Sequence, residues 1–309
     1  MAGKSIEKGT KLDGFVIQDL LSTSGGMSAV YLAEIAKNKR QVAIKVALTD
    51  NNGAAHEDVL LQNEAKLLAN SKFRHPGNVR IYPIPLKGRK PQYVVRASSL
   101  PEKPWYIVME YLQGKSLKDS LKKISRYPLE WKLELFYRIL LPISFLHSKG
   151  YAHRDIKPDN IMFREFVTPK SLPDPVFIDF ALTWNGEGYS PITTDSYTLT
   201  YASPERIVNA MTLGNKAEDV KASDVWSLGL ILYAILSGKE YFKGNPKKIA
   251  STITGQNIVP SLPITGDKGR TLAKFVEYML KRDAPKRPSV EQVIAKLEKS
   301  FIPPRLDVM

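Results

Sequence analysis

An aspartate, a lysine and an asparagine fall within six positions in His153-Arg154-Asp155-Ile156-Lys157-Pro158-Asp159-Asn160, between two apolar segments. A carboxylate placed there can orient an attacking hydroxyl and accept its proton. The lysine sets a cation beside a transferring phosphate, and the asparagine offers an oxygen to a metal ion. Phosphoryl transfer requires those three groups, and Asp155, Lys157 and Asn160 supply them. The competing explanation is a polar loop with a coincidental pattern, and the completeness of the set weighs against it. Nineteen positions after Asn160, Phe177-Ile178-Asp179-Phe180-Ala181 ends a short apolar run on a second carboxylate. An aspartate so placed can hold a Mg²⁺ that bridges phosphates, although Asp-Phe alone is a weak signal.

These groups must be positioned by regular elements. Val42-Ala43-Ile44-Lys45 reads as a strand ending on a charge, a position that calls for a partner, and Glu64 in the following helix is the natural one. Strand patterns also cover Phe15-Val16-Ile17, Ala29 to Ala33, Val79 to Pro83, Tyr93 to Ala97 and Trp105 to Glu110. A helix is expected from about Glu57 to Asn70. After Gly114 the texture becomes helical: Ser116 to Ile124, Trp131 to Ser148, Ser223 to Ser237, Thr271 to Lys281 and Ser289 to Phe301. Ser289 with Gln292 has the capping-box spacing. The class is therefore α+β, with a strand-rich part over residues 1–112 and a helix-rich part over residues 113–309. The basic stretch from Pro83 to Pro104 reads as an extended loop between strands, with no assignable role.

Composition narrows the classes further. With 309 residues, 43% hydrophobic and 25% charged, the chain is ordinary for a soluble globular protein and too long for one compact core. It has no cysteine, which excludes disulfides, thiolate zinc sites and a cysteine nucleophile. The opening residues lack the apolar core of a secretory signal, and Ala2 removes the myristoylation option. The most apolar run, Leu228 to Leu236, is shorter than the ~20 residues that span a bilayer and reads as a buried helix. A cytoplasmic location with no transmembrane segment is the expectation. The net charge of +14 favours anionic partners, but the basic residues are dispersed, so a solvated basic surface is favoured over a nucleic-acid site and no specific nucleic acid is expected.

Taken in order, these motifs resemble the protein kinase superfamily, in particular the Ser/Thr kinase catalytic domains of the bacterial eukaryotic-like class. The resemblance runs from about Phe15 to Phe301. It implies a bilobal fold, a small β-rich lobe with one main helix (1–112) and a larger helical lobe (113–309). It also implies transfer of the γ-phosphate of ATP to Ser/Thr hydroxyls of proteins, with Mg²⁺ as the metal and Mn²⁺ as an alternative. Asp155 would be the catalytic carboxylate, helped by Lys157, Asn160, Lys45 and Glu64. Asn160 and Asp179 would be the metal ligands, and Lys45 would grip the α- and β-phosphates. Val30, Ala43 and Met162 would sandwich the base, while Met109, Glu110 and Leu112 would form the hinge that meets adenine. Glu205 with Arg287, Asp224 beneath the catalytic loop, and a spine of Leu68, His153 and Phe180 would be structural.

The sequence departs from the family's pattern at its glycines. In Thr23-Ser24-Gly25-Gly26-Met27-Ser28, the expected phosphate-covering loop, Thr23 and Ser28 stand where glycines are usual. Ala181 stands for the glycine of Asp-Phe-Gly, which restricts inversion of that turn because a Cβ disfavours positive φ. Thr183, Ser190, Thr193, Thr194, Ser196, Tyr197 and Thr198 lie between Asp179 and Glu205, where autophosphorylation in trans is expected at Thr193 or Thr194, with Ser196 as a lesser candidate, through a homodimer, with Arg154 as the phosphate partner. A pseudokinase scaffold, a nucleic-acid binder and a small-molecule kinase are the alternatives. The first would have lost one of Lys45, Glu64, Asp155, Asn160 or Asp179, the second rests on charge alone, and the third leaves Glu205 and Arg287 unexplained.

Overall fold

The structure, a computed structural model, describes residues 6–24, 28–48, 55–86, 88–100, 102–184, 199–212, 220–255 and 257–301. The chain divides into two compact units, Met1–Gln113 and Gly114–Met309.

The first unit begins with a short hairpin of β1 (Lys11–Leu12) and β2 (Phe15–Ser24). Its two-residue loop is Asp13-Gly14, both at positive φ, the conformation an Asp-Gly hairpin turn requires. β3 (Ser28–Ile35) and β4 (Gln41–Ala47) continue the meander, and α1 (Ala55–Ala69) follows. Then come β5 (Ile81–Tyr82), β6 (Ile84–Leu86), β7 (Arg89–Gln92), β8 (Val94–Arg96) and β9 (Trp105–Glu110). The main sheet is antiparallel, in the order β1-β2-β3-β4-β9-β5, with β8 also paired to β9.

Because successive side chains of a strand point to opposite faces, β4 divides its residues cleanly. Val42, Ile44 and Val46 join Leu12, Ile17, Tyr31, Tyr106 and Val108 in the hydrophobic cluster on one face. Ala43 and Lys45 take the other. The carboxylate of Asp13 fastens the first hairpin to the far side of the sheet, accepting from Ser98 N–H (3.2 Å), Ser98 Oγ (2.5 Å) and Tyr106 Oη (3.2 Å).

The stretch from Pro83 to Pro104 is not the extended loop that its prolines suggest. β6 and β7 pair as a separate two-stranded hairpin, with Ile84 opposite Gln92 and Leu86 opposite Arg89, and β8 then joins the main sheet. Pro91 is compatible with β7 because a two-stranded hairpin leaves alternate N–H groups unneeded.

The second unit contains α2 (Leu117–Ile124), α3 (Leu129–Ser148), the hairpin of β10 (Ile161–Phe163) and β11 (Pro175–Phe177), then α4 (Pro204–Thr212), α5 (Val220–Ser237), α6 (Pro246–Gly255), α7 (Gly266–Met279) and α8 (Val290–Phe301). Every residue of α5 from Ala222 to Leu236 is buried, and α2, α3 and α7 pack on it. A helix apolar all round is a core helix when its neighbours cover it. α5 is also long and apolar enough to cross a membrane, but 89% of that window is buried inside the unit. Gly229 lets α5 meet the end of α7: a Cβ there would lie 2.9 Å from Leu280 Cδ2 and 3.0 Å from Met279 Cβ. α8 starts with the expected reciprocal cap, Ser289 N–H on Gln292 Oε1 (2.9 Å) and Gln292 N–H on Ser289 Oγ (3.3 Å). α4 and α6 were not among the expected helices, and α7 begins at Gly266 rather than near Thr271.

Candidate active site

In the first unit, cross-strand register decides which side chains share the face opposite the hydrophobic cluster. Val30 is opposite Lys45, Lys45 opposite Ile107, and Ala43 opposite Met109. Directly opposed residues lie on one face of an antiparallel pair, so Val30, Ala43, Lys45 and Met109 sit together. α1 packs against β4 and β9. It delivers Glu64, fully buried, to Lys45, itself 6% exposed, with Nζ and Oε2 2.7 Å apart. Two charges removed from water are tolerable only in such close contact. Met109 and Leu112 are buried, and Glu110 is clamped to Arg80: its N–H donates to the Arg80 carbonyl (2.9 Å) and its Oε1 accepts from Arg80 N–H (2.9 Å). Thr23 pairs with Ala29, and Ser24 with Ser28, at the tip of the β2–β3 hairpin. Gly25, Gly26 and Met27 lie outside the described residues.

In the second unit, the segment after α3 is held from beneath. Asp224, near the start of α5 and 1% exposed, accepts the N–H groups of His153 (2.7 Å) and Arg154 (2.8 Å) and contacts His147 Nε2 (2.9 Å). Burial works to raise the Asp224 carboxyl, but the hydrogen bond and charge of His147, with the Arg154 N–H, hold it below the ordinary range. Arg154 has φ +68, a left-handed conformation that costs a residue with a Cβ energy. The bonds to Asp224 fix that turn, and the Arg206 guanidinium holds the Arg154 carbonyl. The Arg154 guanidinium lies 4.8 Å over the Trp184 ring, and Trp184 is itself bridged to Ala152 by two backbone hydrogen bonds. His153 is fully buried between Phe177 and Phe180, with ring centroids 5.0 Å from each, and burial pushes its pKa down.

Above this support sits the reactive cluster. Asp155 Oδ2 accepts from Lys157 Nζ at 2.8 Å and from Asn160 Nδ2 at 2.7 Å, and the same Nδ2 donates to the Asp155 carbonyl at 2.9 Å. The β10–β11 hairpin places Asp179 beside Asn160, since Ile178 N–H donates to the Asn160 carbonyl (3.1 Å). Met162 is the middle residue of β10. Asp179 Oδ1 accepts the Ala181 N–H (3.2 Å), closing a turn in which Ala181 does not take a positive φ.

This geometry bears on a divalent cation. Both groups facing the Asn160 amide are acceptors, so its nitrogen must point at Asp155 and its oxygen away. One amide oxygen and the adjacent Asp179 carboxylate make a hard oxygen set that suits Mg²⁺, an ion that retains waters and shares its remaining sites with phosphate oxygens. Mn²⁺ accepts the same donors. The residues present fit the ion.

The support extends to α4. Glu205 and Arg287 form a two-pronged pair (2.6 and 2.7 Å), and Arg287 also donates to the carbonyls of Lys281, Ala222 and Arg282 over the face of Trp226. Ser203, buried next to Glu205, shares a hydrogen bond with Ser223 (2.8 Å). His147, Trp184 and Arg206 escaped the sequence reading because each acts through a partner remote along the chain. Leu68 is buried on α1 of the first unit. The hydroxyl residues Ser190, Thr193, Thr194, Ser196, Tyr197 and Thr198 lie outside the described residues.

The family model described as "protein kinase domain" matches residues 23–297. The chain belongs to this family. Among curated relatives of the kinase domain, the serine/threonine-protein kinase PknB of Mycobacterium leprae is 30% identical over 253 residues, covering 80% of this chain and 36% of that protein. Serine/threonine-protein kinase pkn2 of Myxococcus xanthus is 28% identical, covering 88% of this chain and 30% of that protein. A calcium/calmodulin-dependent protein kinase type 1 from Macrobrachium nipponense is 26% identical, covering 91% and 74%. The chain spans about a third of the length of the bacterial relatives it matches.

Proposed function

We propose that this kinase domain transfers the γ-phosphoryl group of ATP to serine or threonine hydroxyls of proteins. The observation that carries this reading is the Asp155 carboxylate, aimed by Lys157 and Asn160 and set one hairpin pairing away from Asp179. Residues 1–112 are assigned the nucleotide-covering role. There Lys45, oriented by Glu64, binds the α- and β-phosphates, Thr23 to Ser28 cover them, Val30 and Ala43 line the base, and Met109, Glu110 and Leu112 meet its edge. Residues 113–309 are assigned the transfer itself, with Met162 against the base.

The roles follow from charge and geometry. Asp155 orients the acceptor hydroxyl and takes its proton as the oxygen attacks the γ-phosphorus and the β–γ bridging bond breaks, leaving ADP. Lys157, already on Asp155, places its positive charge where the transferring group gathers negative charge. Asn160 and Asp179 would hold Mg²⁺, which supplies charge neutralisation at the phosphates when bound. Lys157 two residues past the catalytic carboxylate supports Ser/Thr acceptors. Autophosphorylation at Thr193 or Thr194 within a homodimer, and action in the cytoplasm, with which a cysteine-free chain is compatible, complete the proposal.

Transfer of labelled phosphate from Mg-ATP to a generic protein acceptor tests it, with phosphoamino-acid analysis of the product. Asp155→Asn keeps the shape and should cost about 10²–10⁴-fold in rate. Equal activity in wild type and variant, or phosphotyrosine as the main product, overturns it.

A further inference from the structure

A recess of about 800 Å³ opens in the second unit between α2, the start of α3 and the loop that joins β10 to β11. Part of its lining is apolar, with Tyr127, Pro128, Val167 and Phe166, the last 64% exposed. Its walls carry Lys115, Lys122, Lys123 and Arg126 against one carboxylate, Asp119. That carboxylate is already engaged by the Ser116 hydroxyl at the α2 cap (2.7 Å). Among the described residues, Lys115, Lys122 and Arg126 take part in no ion pair. Most surface cations of a folded chain cost little when unpaired, but three converging on one concave apolar site form a local field that an anionic ligand would relieve.

The recess is also held in shape. Lys123 Nζ and Tyr127 Oη both donate to the Val167 carbonyl (3.0 and 3.1 Å), Trp131 Nε1 donates to the Ser171 carbonyl (2.7 Å), and Arg164 bonds Asp174 at the loop's base (3.1 Å). A site whose walls are ordered before binding avoids much of the entropy cost of association.

We infer that this recess is a docking site for an acidic linear segment of a protein that carries a large apolar side chain. Charge complementarity selects the acidic character, and the exposed Phe166 with the apolar lining beside it selects the anchor. A nucleic-acid backbone would use the cations but not Phe166 and the apolar lining, and a membrane surface would not enter a concavity. The functional meaning rests on the kinase reading: α2 also touches the catalytic segment, through Lys118 on Asp159 (2.8 Å) and the pairing of Ser116 with Met162. A segment held at the recess therefore tethers its own protein near Asp155, raising the effective concentration of the acceptor hydroxyl.

The test uses the full chain and a synthetic peptide of Glu and Asp around a central Phe, with a control peptide carrying Ala for that Phe. Binding by fluorescence anisotropy should fall roughly tenfold in the Lys122→Glu/Arg126→Glu variant and weaken with added salt. Phe166→Ala should lower affinity for the Phe peptide and leave that for the Ala peptide unchanged. An acceptor protein fused to the Phe peptide should show a raised KM and an unaltered kcat with the double variant, while transfer to the unfused acceptor stays as in wild type. Unchanged peptide affinity in the double variant overturns the docking site. So does a preference for random DNA duplex or phosphatidylserine vesicles over the peptide. Because Asp155→Asn protein should still bind the peptide, a failure of the kinase reading and a failure of the docking site give different results.

Discussion

Lys45 and Glu64 show how much a single charge pair is asked to do. Both are out of water and 2.7 Å apart, so each offsets part of the other's lost solvation. Lys45→Met removes the charge paired with the buried Glu64, and should lower stability by ~3–5 kcal/mol as well as abolish transfer. Adding Glu64→Gln to Lys45→Met should restore much of the stability and none of the activity. Urea denaturation of the two variants checks this, and an additive result would show that the pair is not coupled. The residue scale also explains the departures at glycine positions. Ala181 is tolerated because its turn, as folded, needs no positive φ. Ser203, which is buried but not at a glycine position, has its hydroxyl satisfied in the core by Ser223.

Between elements, several buried polar groups of the second unit hold one loop. Asp224 of α5 pins the backbone on which Asp155 is carried, and Arg206 of α4 holds the next carbonyl, so helix packing is converted into the placement of a carboxylate. Glu205 and Arg287 join α4 to the segment before α8 in the same manner. Arg287 is 7% exposed. Glu205→Ala therefore leaves a buried guanidinium, still bonded to three carbonyls, without its counter-charge and should destabilise by ~3–5 kcal/mol, whereas Glu205→Met combined with Arg287→Met should cost less than the two single changes summed, since each single change leaves one charge unpaired. Thermal unfolding of both single variants and the double variant checks this, and a double variant as costly as the sum of the singles would contradict this account.

For the whole molecule, two fully buried groups, His153 and Asp224, contribute to the response to acid. His153 is uncharged in the fold because burial lowers its pKa below the ordinary 6.5. The unfolded chain therefore binds a proton the folded chain refuses: this stability is complete above 6.5 and is lost as pH falls below it. Asp224, held below its ordinary 3.8, adds stability that is present above that value and lost at still lower pH. The melting temperature should fall between pH about 8 and about 5, and His153→Gln should flatten that slope. A flat wild-type profile would remove His153 as its cause. Much of this protein was legible without the fold. Asp155, Lys157 and Asn160 are bound together by chain continuity, alternation in Val42 to Val46 specifies a strand whatever surrounds it, and Ser289 with Gln292 encodes its own helix cap. The order of the motifs was enough to indicate the family and the candidate reactive residues. Tertiary structure decided what depends on groups far apart in sequence: His147 on Asp224, 77 positions away, and Arg287 on Glu205, 82 positions away. It also decided the β6–β7 pairing and the basic recess: Asp119, Lys122, Lys123 and Arg126 repeat at helical spacing, but that this face meets the β10–β11 loop is set by packing alone. Local sequence fixes conformation over a few residues, but closing a long loop is settled only by the packing that rewards it.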